Sequence, residues 1–243
     1  YFYDQKGRND ILLITGFAMP GGLATNGSKL TITTANAVAG VMREAEAFAV
    51  PTSSKYKTIN DLLDDIKANP KSVAIGGGNY GGVDHVTVAT LAATVGVKAT
   101  DLNYIPYSGG GTLTPDVIGG RVAVGISGTS EFSSYVSAGK MRILAVTSPK
   151  PLKVIKGKTL IQQGVNLTFG NWRGILAPAD LSAADLLNTL KVIDTLHATD
   201  SWKDTLVAKS WIDEYRVGSA FSSWIKTENA AIIKVLTDFK LIK

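Results

Sequence analysis

Apolar residues in this chain come in short blocks that alternate with helical periodicities, and glycine punctuates them. Ile11-Leu-Leu-Ile-Thr15 is a continuous apolar run of the kind that forms a strand buried on both faces. It stops at Gly16, and Pro20-Gly-Gly22 reads as a loop at the strand end. Val38–Val50 is rich in Ala and Val, with Arg43, Glu44 and Glu46 inside it; its later half, Ala45–Val50, is expected to be a strand that Pro51 ends. Over Thr58–Ala68 the period changes. Ile59, Leu62, Leu63 and Ile66 fall on one helical face. Thr58 and Asp61 have the spacing of a capping box, and Asn69-Pro70 ends the helix.

Three times thereafter a β-rich run opens into a glycine-rich or small-polar loop and then a helix. The runs are Val73-Ala-Ile-Gly-Gly-Gly-Asn-Tyr-Gly-Gly-Val-Asp-His85, Leu102-Asn-Tyr-Ile-Pro-Tyr-Ser-Gly-Gly-Gly111 and Val122-Ala-Val-Gly-Ile-Ser-Gly-Thr-Ser130. Gly119-Gly120 and Ala138-Gly139 read as helix C-terminal signals. Met141–Val146 is a further strand and Lys150–Lys158 a surface loop. Thr159–Gln163 reads as a short helix ended by Gly164, and Asn171–Ala177 as a strand stopped at Pro178. The remainder is expected to be helical, capped at Ser182, Asp200 and Ser219, with Phe221, Trp224, Ile225, Ile232, Val235 and Leu236 on the last stripe. Strands alternating with helices imply an α/β chain with a largely parallel sheet.

Composition narrows the function. The chain has 243 residues, enough for one large domain or two lobes. No apolar run approaches the roughly 20 residues of a spanning helix. Net charge is +5, but the lysines are scattered and no basic run is interleaved with aromatics, so nucleic acid is not an expected partner. There are no cysteines, which excludes disulfides and thiolate chemistry and suits an oxidising compartment. The start, Tyr1-Phe-Tyr-Asp4, lacks Met and leads straight into an apolar run; upstream sequence is expected to be absent.

The loops suggest chemistry without catalytic side chains. Glycine lets backbone N–H groups approach a ligand, and a helix start presents unpaired N–H groups with partial positive charge. Several such loops at one sheet edge would form an anion-binding crevice. Asp84 and His85 are adjacent, which is not metal-ligand spacing, and the G-x-S-x-G elbow of hydrolases is absent. Gly76-Gly-Gly-Asn-Tyr-Gly81 matches G-x-G-x-x-G by letters, so a nucleotide-dependent oxidoreductase is the alternative reading. Asp101 lies near the spacing expected of its acid, but it precedes a strand, and no P-loop Gly-Lys-Ser/Thr follows. No catalytic residue, metal or cofactor is expected.

Individual side chains carry two readings each. His85 either donates to an anionic ligand or orients its loop. Arg173, in Asn-Trp-Arg-Gly, either grips a carboxylate through two parallel bonds or fixes a strand by an ion pair. Trp172 reads as packing and His197 as structural.

These motifs, in order, resemble a known family. Gly76-Gly-Gly-Asn-Tyr-Gly-Gly-Val-Asp-His85, Tyr104-Ile-Pro-Tyr-Ser-Gly-Gly-Gly111, Ile118-Gly-Gly120, Ser137-Ala-Gly-Lys-Met-Arg-Ile-Leu-Ala-Val-Thr-Ser148 and Asn171-Trp-Arg-Gly-Ile-Leu-Ala-Pro178 look like the TctC or Bug receptors of tripartite tricarboxylate transporters. Tyr56-Lys-Thr-Ile-Asn-Asp-Leu62 also fits the helix that opens their second lobe. The resemblance implies a type II periplasmic-binding-protein fold of two α/β lobes joined by crossing strands. Lobe one would comprise residues 1–50 and 171–243, missing its N-terminal segment, and lobe two residues 51–170. It implies a periplasmic or lipid-anchored extracytoplasmic monomer that captures a small carboxylate, without turnover, for a membrane permease. Ligand contacts would come from Thr15, Gly16 and Phe17; from Gly77, Gly78, Asn79, Tyr80, Gly81, Gly82 and His85; from Ser108, Gly109, Gly110 and Thr112; and from Ser127, Thr129 and Arg173.

Overall fold

Thr58 and Asp61 make the reciprocal cap that their spacing predicts. In the computed structural model, which describes residues 1–242, the Asp61 amide donates to Thr58 Oγ1 at 3.2 Å. The Thr58 amide donates back to Asp61 Oδ2 at 2.9 Å. Two amides that a helix start leaves unpaired are satisfied this way, and Ile59, Leu62, Leu63 and Ile66 are then buried along one stripe.

The chain runs β1 (Leu13–Gly16), α1 (Ala18–Thr25), β2 (Asn36–Glu44), β3 (Glu46–Pro51), α2 (Ile59–Ala68), β4 (Ala74–Gly77), α3 (Val83–Ala93), β5 (Asn103–Pro106) and α4 (Gly110–Ile118). It continues through β6 (Val124–Gly128), α5 (Thr129–Ser137), β7 (Met141–Val146), β8 (Asn171–Ala177), α6 (Ala183–Ala198), α7 (Asp200–Lys209), β9 (Trp211–Val217) and α8 (Gly218–Asp238). Residues 1–43 and 172–237, with 242, form one unit; residues 44–171 and 238–241 form a second. Lys243, which the expected first lobe includes, lies outside the described residues.

The second unit is built on a five-stranded sheet in the order β5-β4-β6-β3-β7. β4 runs parallel to β5 and β6, while β3 is antiparallel to β6 and β7. Strand alternation decides which side chain enters which layer. Phe48 and Val50 of β3 pack with α2 and α3, whereas Ala47 and Ala49 pack with Leu113 and Val117 of α4 and Phe132 of α5. Helices therefore cover both faces, which is why these strands read as apolar runs.

The first unit carries a four-stranded sheet in the order β1-β8-β2-β9. Val38, Ala39, Ile175 and Ala177 pack against Ile193 of α6. Gly40 and Gly174 leave a hollow for the fully buried Phe221 ring; a Cβ on Gly174 would lie 2.5 Å from its Cζ. Trp224 stacks on that ring at 5.9 Å, and Trp172 meets Trp224 edge-on at 5.2 Å.

Several expectations are corrected. Pro20-Gly-Gly22 is helical, inside α1. Pro20 sits in the first turn, where a missing N–H costs nothing because that turn has no intrahelical acceptor. The first strand is Leu13–Gly16 rather than Ile11–Thr15. The early half of Val38–Val50 also belongs to a strand, β2; its charged end obscured the pattern, and Arg43 there lies 2.9 Å from Glu214 of β9. β9 itself was expected to be helix. Its charges hid an extended segment in which Tyr215 and Val217 pack against the apolar cluster. The N-cap of α7 is Thr199, whose hydroxyl accepts from Trp202 N at 3.2 Å, not Asp200; α8 begins at Gly218, one residue before Ser219. The larger sheet is mixed, not largely parallel, because β3 enters it from the other direction.

Candidate functional site

β5, β4 and β6 are parallel neighbours, so the loops that follow them emerge at one edge of the sheet. Gly77 is level with Pro106, and Gly76 with Gly125. The residues that follow start α3, α4 and α5. Three helix amino ends thus gather at the carboxyl edge of three parallel strands, the usual place for a ligand in such sheets. β3 runs the other way, and its first residue Glu46 is paired with Gly128, so Glu44–Glu46 reach the same edge.

Much of this edge is already satisfied from within. The Gly78 amide donates to Asp84 Oδ2 at 2.7 Å, and the Gly81 amide to His85 Nδ1 at 3.1 Å. The Gly82 amide donates to Asn79 O at 2.9 Å. Of the amides expected to face a ligand, these three are therefore committed to the loop itself. His85 is buried, and since Nδ1 accepts, its proton sits on Nε2. Burial pulls it down to about 4, so the ring is neutral at physiological pH. It lies 4.4 Å from Tyr104 and 5.0 Å from Tyr80, and its observed work is to hold the loop. Tyr104 Oη donates to Gly78 O at 2.7 Å, while the exposed Tyr80 donates to Tyr104 O at 3.1 Å.

Acids complete the pattern. Glu44 Oε1 accepts from Ser130 N at 2.8 Å and so caps α5. Asp84 lies in the first turn of α3 and Glu131 in that of α5. α2 has Asp61 in the same position. α4 differs: its first turn carries no acid, although Glu131 packs its stem against Gly110. A Cβ at Gly109 or Gly111 would meet nothing within 4 Å. Gly109 has φ +152°, a conformation that only glycine adopts without strain. The hydroxyls of Ser108 and Thr112 flank this amino end and lie 3.4 Å apart. Ser127 and Thr129 are buried at the end of β6, and the Thr129 hydroxyl has no hydrogen-bond partner.

The remaining expected residues belong to the other unit. Thr15 and Gly16 end β1, and Phe17 leads into α1, whose first turn is also free of acids. Gly16 pairs with Arg173 across the β1–β8 ladder. A Cβ there would fall 2.6 Å from Trp172 O, so the backbone leaves no room for one. Trp172 is buried, as its packing reading requires. His197 stacks on Tyr215 at 3.8 Å and lies 3.1 Å from Asp213, a structural role on α6 and β9.

Sequence reasoning missed Glu44, Glu46, Asp84 and Glu131 as parts of this edge. Their signal was positional: two lie in the first turns of helices that follow glycine loops. Asp101, the would-be ribose acid of a dinucleotide site, precedes β5 and therefore lies at the opposite end of the parallel strands from Gly76–Gly81. The glycine letters have no such partner.

Residues 28–202 match the family described as the tripartite tricarboxylate transporter family receptor, TctC. A protein encoded in the clcB–clcD intergenic region of Pseudomonas knackmussii is 30% identical over 114 residues, 46% of this chain and 63% of that protein. The matched regions span between 36% and 63% of the length of the first four curated relatives. Among solved structures, the periplasmic binding protein BugD aligns over 100% of this chain and 82% of its own, at 17% identity and TM-score 0.82. MatC from Rhodopseudomonas palustris, solved with bound malate, aligns over 97% and 82% at 14% identity and TM-score 0.82. The fold is thus α/β, of the type II periplasmic-binding-protein class, and both family and fold are those of solute-binding receptors. Among the described residues, no helix is long and apolar enough to cross a membrane.

Proposed function

The chain belongs to the tripartite tricarboxylate transporter receptor family, and on that premise we propose that it is a periplasmic receptor that captures a small carboxylate and delivers it to a membrane permease. One observation carries the reading: three strand–loop–helix units converge on one sheet edge, and the middle helix, α4, starts without an acid and with open space at Gly109 and Gly111. A carboxylate there would take the amides of Gly110 and Gly111, which have no intrahelical acceptor. Hydroxyls of Ser108 and Thr112 would add adaptable bonds, with Asn79, Tyr80, Ser127 and Thr129 at the rim. In the other unit, Thr15, Gly16 and Phe17 lead into the acid-free start of α1 beside Arg173, a second place suited to a carboxylate. The proposal takes the two units as the two lobes of such a receptor. Bound malate in MatC, a protein of the same fold, supports the ligand class, and the net charge of +5 adds a mild attraction for anions. Capture is reversible, no covalent bond is made or broken, and the receptor works as a monomer.

Native mass spectrometry of the purified protein tests this. A small organic acid, lost on denaturation and displaced by added malate, is the expected adduct. A retained mass of nucleotide size with ultraviolet absorbance would overturn the reading in favour of an oxidoreductase.

A further inference from the structure

The lysines are scattered over the chain as a whole, but four gather in one loop. Residues 132–171 hold six cations and no Asp or Glu. Lys140 and Arg142 flank the start of β7, where Arg142 donates to the carbonyls of Thr52, Ser54 and Tyr56. Lys150, Lys153, Lys156 and Lys158 lie in the loop that follows β7, and all four are exposed. Among the described residues none of the four is ion-paired. The loop is held from beneath. Val146 N donates to Lys158 O and Leu160 N to Val146 O, both at 3.0 Å, so its far end returns to the strand it left. Ser148 Oγ donates to Lys150 O at 2.7 Å. Ile155 is buried with Phe132, Met141 and Ile143, and a Cβ on Gly157 would lie 2.7 Å from Ile143 Cγ2. Pro149 and Pro151 fix φ at two further positions. The ammonium groups are thus carried on a shaped backbone, and between them Val154 is 47% exposed. β6 and β7 both run antiparallel to β3, and Val146 is level with Ala47, next to Glu46. The lysine loop therefore leaves the sheet at the edge where α3, α4 and α5 start.

The composition of the loop selects among anionic partners. Protein interfaces and discrete carboxylate sites favour Arg, whose planar fork pairs two oxygens, and are poor in Lys. Stacking on nucleic-acid bases needs aromatic rings, and residues 149–158 contain none. Hydrated ammonium groups around one exposed aliphatic side chain suit a surface of many loosely held negative charges with apolar material just beneath it. We propose that the loop of residues 149–158 docks the protein on a bilayer containing anionic lipid, with the four lysines against the headgroups and Val154 between them. Docked in this way, the edge of the sheet that carries the glycine loops faces the bilayer. The consequence for delivery of a ligand rests on the receptor reading above; the lipid contact itself does not.

Cosedimentation of the full chain with vesicles tests this without any ligand. The protein should pellet with phosphatidylcholine vesicles containing about 30% phosphatidylglycerol and stay in solution with phosphatidylcholine alone, and about 0.5 M salt should release it. Replacing Lys150, Lys153, Lys156 and Lys158 with Gln should weaken the partition by at least about tenfold. Replacing Lys67, Lys98, Lys191 and Lys209, which removes the same charge elsewhere, should leave it within about twofold. Equal losses in the two variants would mean that net charge alone is responsible and would overturn the proposal. Because the chain has no cysteine, a polarity-sensitive dye can be placed singly at Val154→Cys or, toward the opposite end of the parallel strands, at Lys98→Cys. Only the first should shift to the blue on anionic vesicles. Absence of pelleting at low salt, a shift at Lys98→Cys instead, or release by millimolar inorganic phosphate, the mark of a discrete anion site, overturns the proposal whether or not the quadruple variant folds. Failure of carboxylate binding would be seen separately and leaves these readouts unchanged.

Discussion

Glu44 and Ser130, 86 residues apart, are joined by a 2.8 Å hydrogen bond from the Ser130 amide to the Glu44 carboxylate. The start of α5 is thus capped by an anion from the end of β2, where Gly128 leaves room for it; a Cβ on Gly128 would lie 2.6 Å from Glu44 Cδ. Replacing Glu44 with Ala removes the acceptor and a charge favourable to the helix dipole. The expected loss is about 1 kcal/mol in urea unfolding, with Glu44→Gln losing less. An unchanged midpoint in Glu44→Ala would mean that the cap contributes nothing.

Glu131 packs beside the amino end of α4, where the proposed ligand carboxylate binds. Its charge opposes an anion there, and solvent and salt weaken the effect without abolishing it. Glu131→Gln should therefore tighten malate binding by roughly two- to tenfold at low salt, with the gain shrinking as salt is added. Calorimetric titration of both proteins at two ionic strengths checks this; weaker binding in the variant would place the ligand elsewhere.

Two glycines in one unit should respond in opposite directions. A Cβ on Gly16 would meet the Trp172 carbonyl at 2.6 Å and the Arg173 side chain, so Gly16→Ala should cost on the order of 1–3 kcal/mol. Gly22 lies within α1 and its Cβ would meet nothing within 4 Å, so Gly22→Ala should add about 0.5–1 kcal/mol. Thermal unfolding of the pair decides; equal shifts of the same sign would contradict the packing.

His85 is expected to make the protein sensitive to acid. Burial lowers it to about 4, below its ordinary 6.5, so the unfolded chain binds a proton there that the folded chain does not. The stability tied to neutral His85 is present above about 6.5 and is lost as pH falls toward 4. His85→Asn should remove up to about 3 kcal/mol of that loss. The difference in Tm between variant and wild type, followed from pH 7 to pH 4, measures it; a pH-independent difference would rule it out.

Much of the architecture was legible because the strands are short and apolar and the turns are marked by glycine. The capping box at Thr58, β8 over Asn171–Ala177 and the three strand–loop–helix units need only local rules. β2 and β9 were hidden because Arg43, Glu214 and Arg216 carry charge within extended segments; Arg43 pairs with Glu214 across the sheet, and Arg216 reaches Glu214 along its own strand. The site was legible as backbone and illegible as side chains. Glycine loops announce where amides approach a ligand. Asp84, six residues from the Gly78 amide it accepts from, was marked only by its place in the first turn of α3, whereas nothing local indicates that Glu44 already caps α5, because that contact joins residues far apart in sequence.

The most direct test of the receptor reading is the thermal unfolding of the full chain titrated with malate, citrate and a monocarboxylate. Tm should rise with the logarithm of ligand concentration for at least one of them, with stabilisation near 2.7 kcal/mol at about a hundredfold excess over Kd. A cooperative transition that none of these acids moves, even at millimolar concentration, would contradict it.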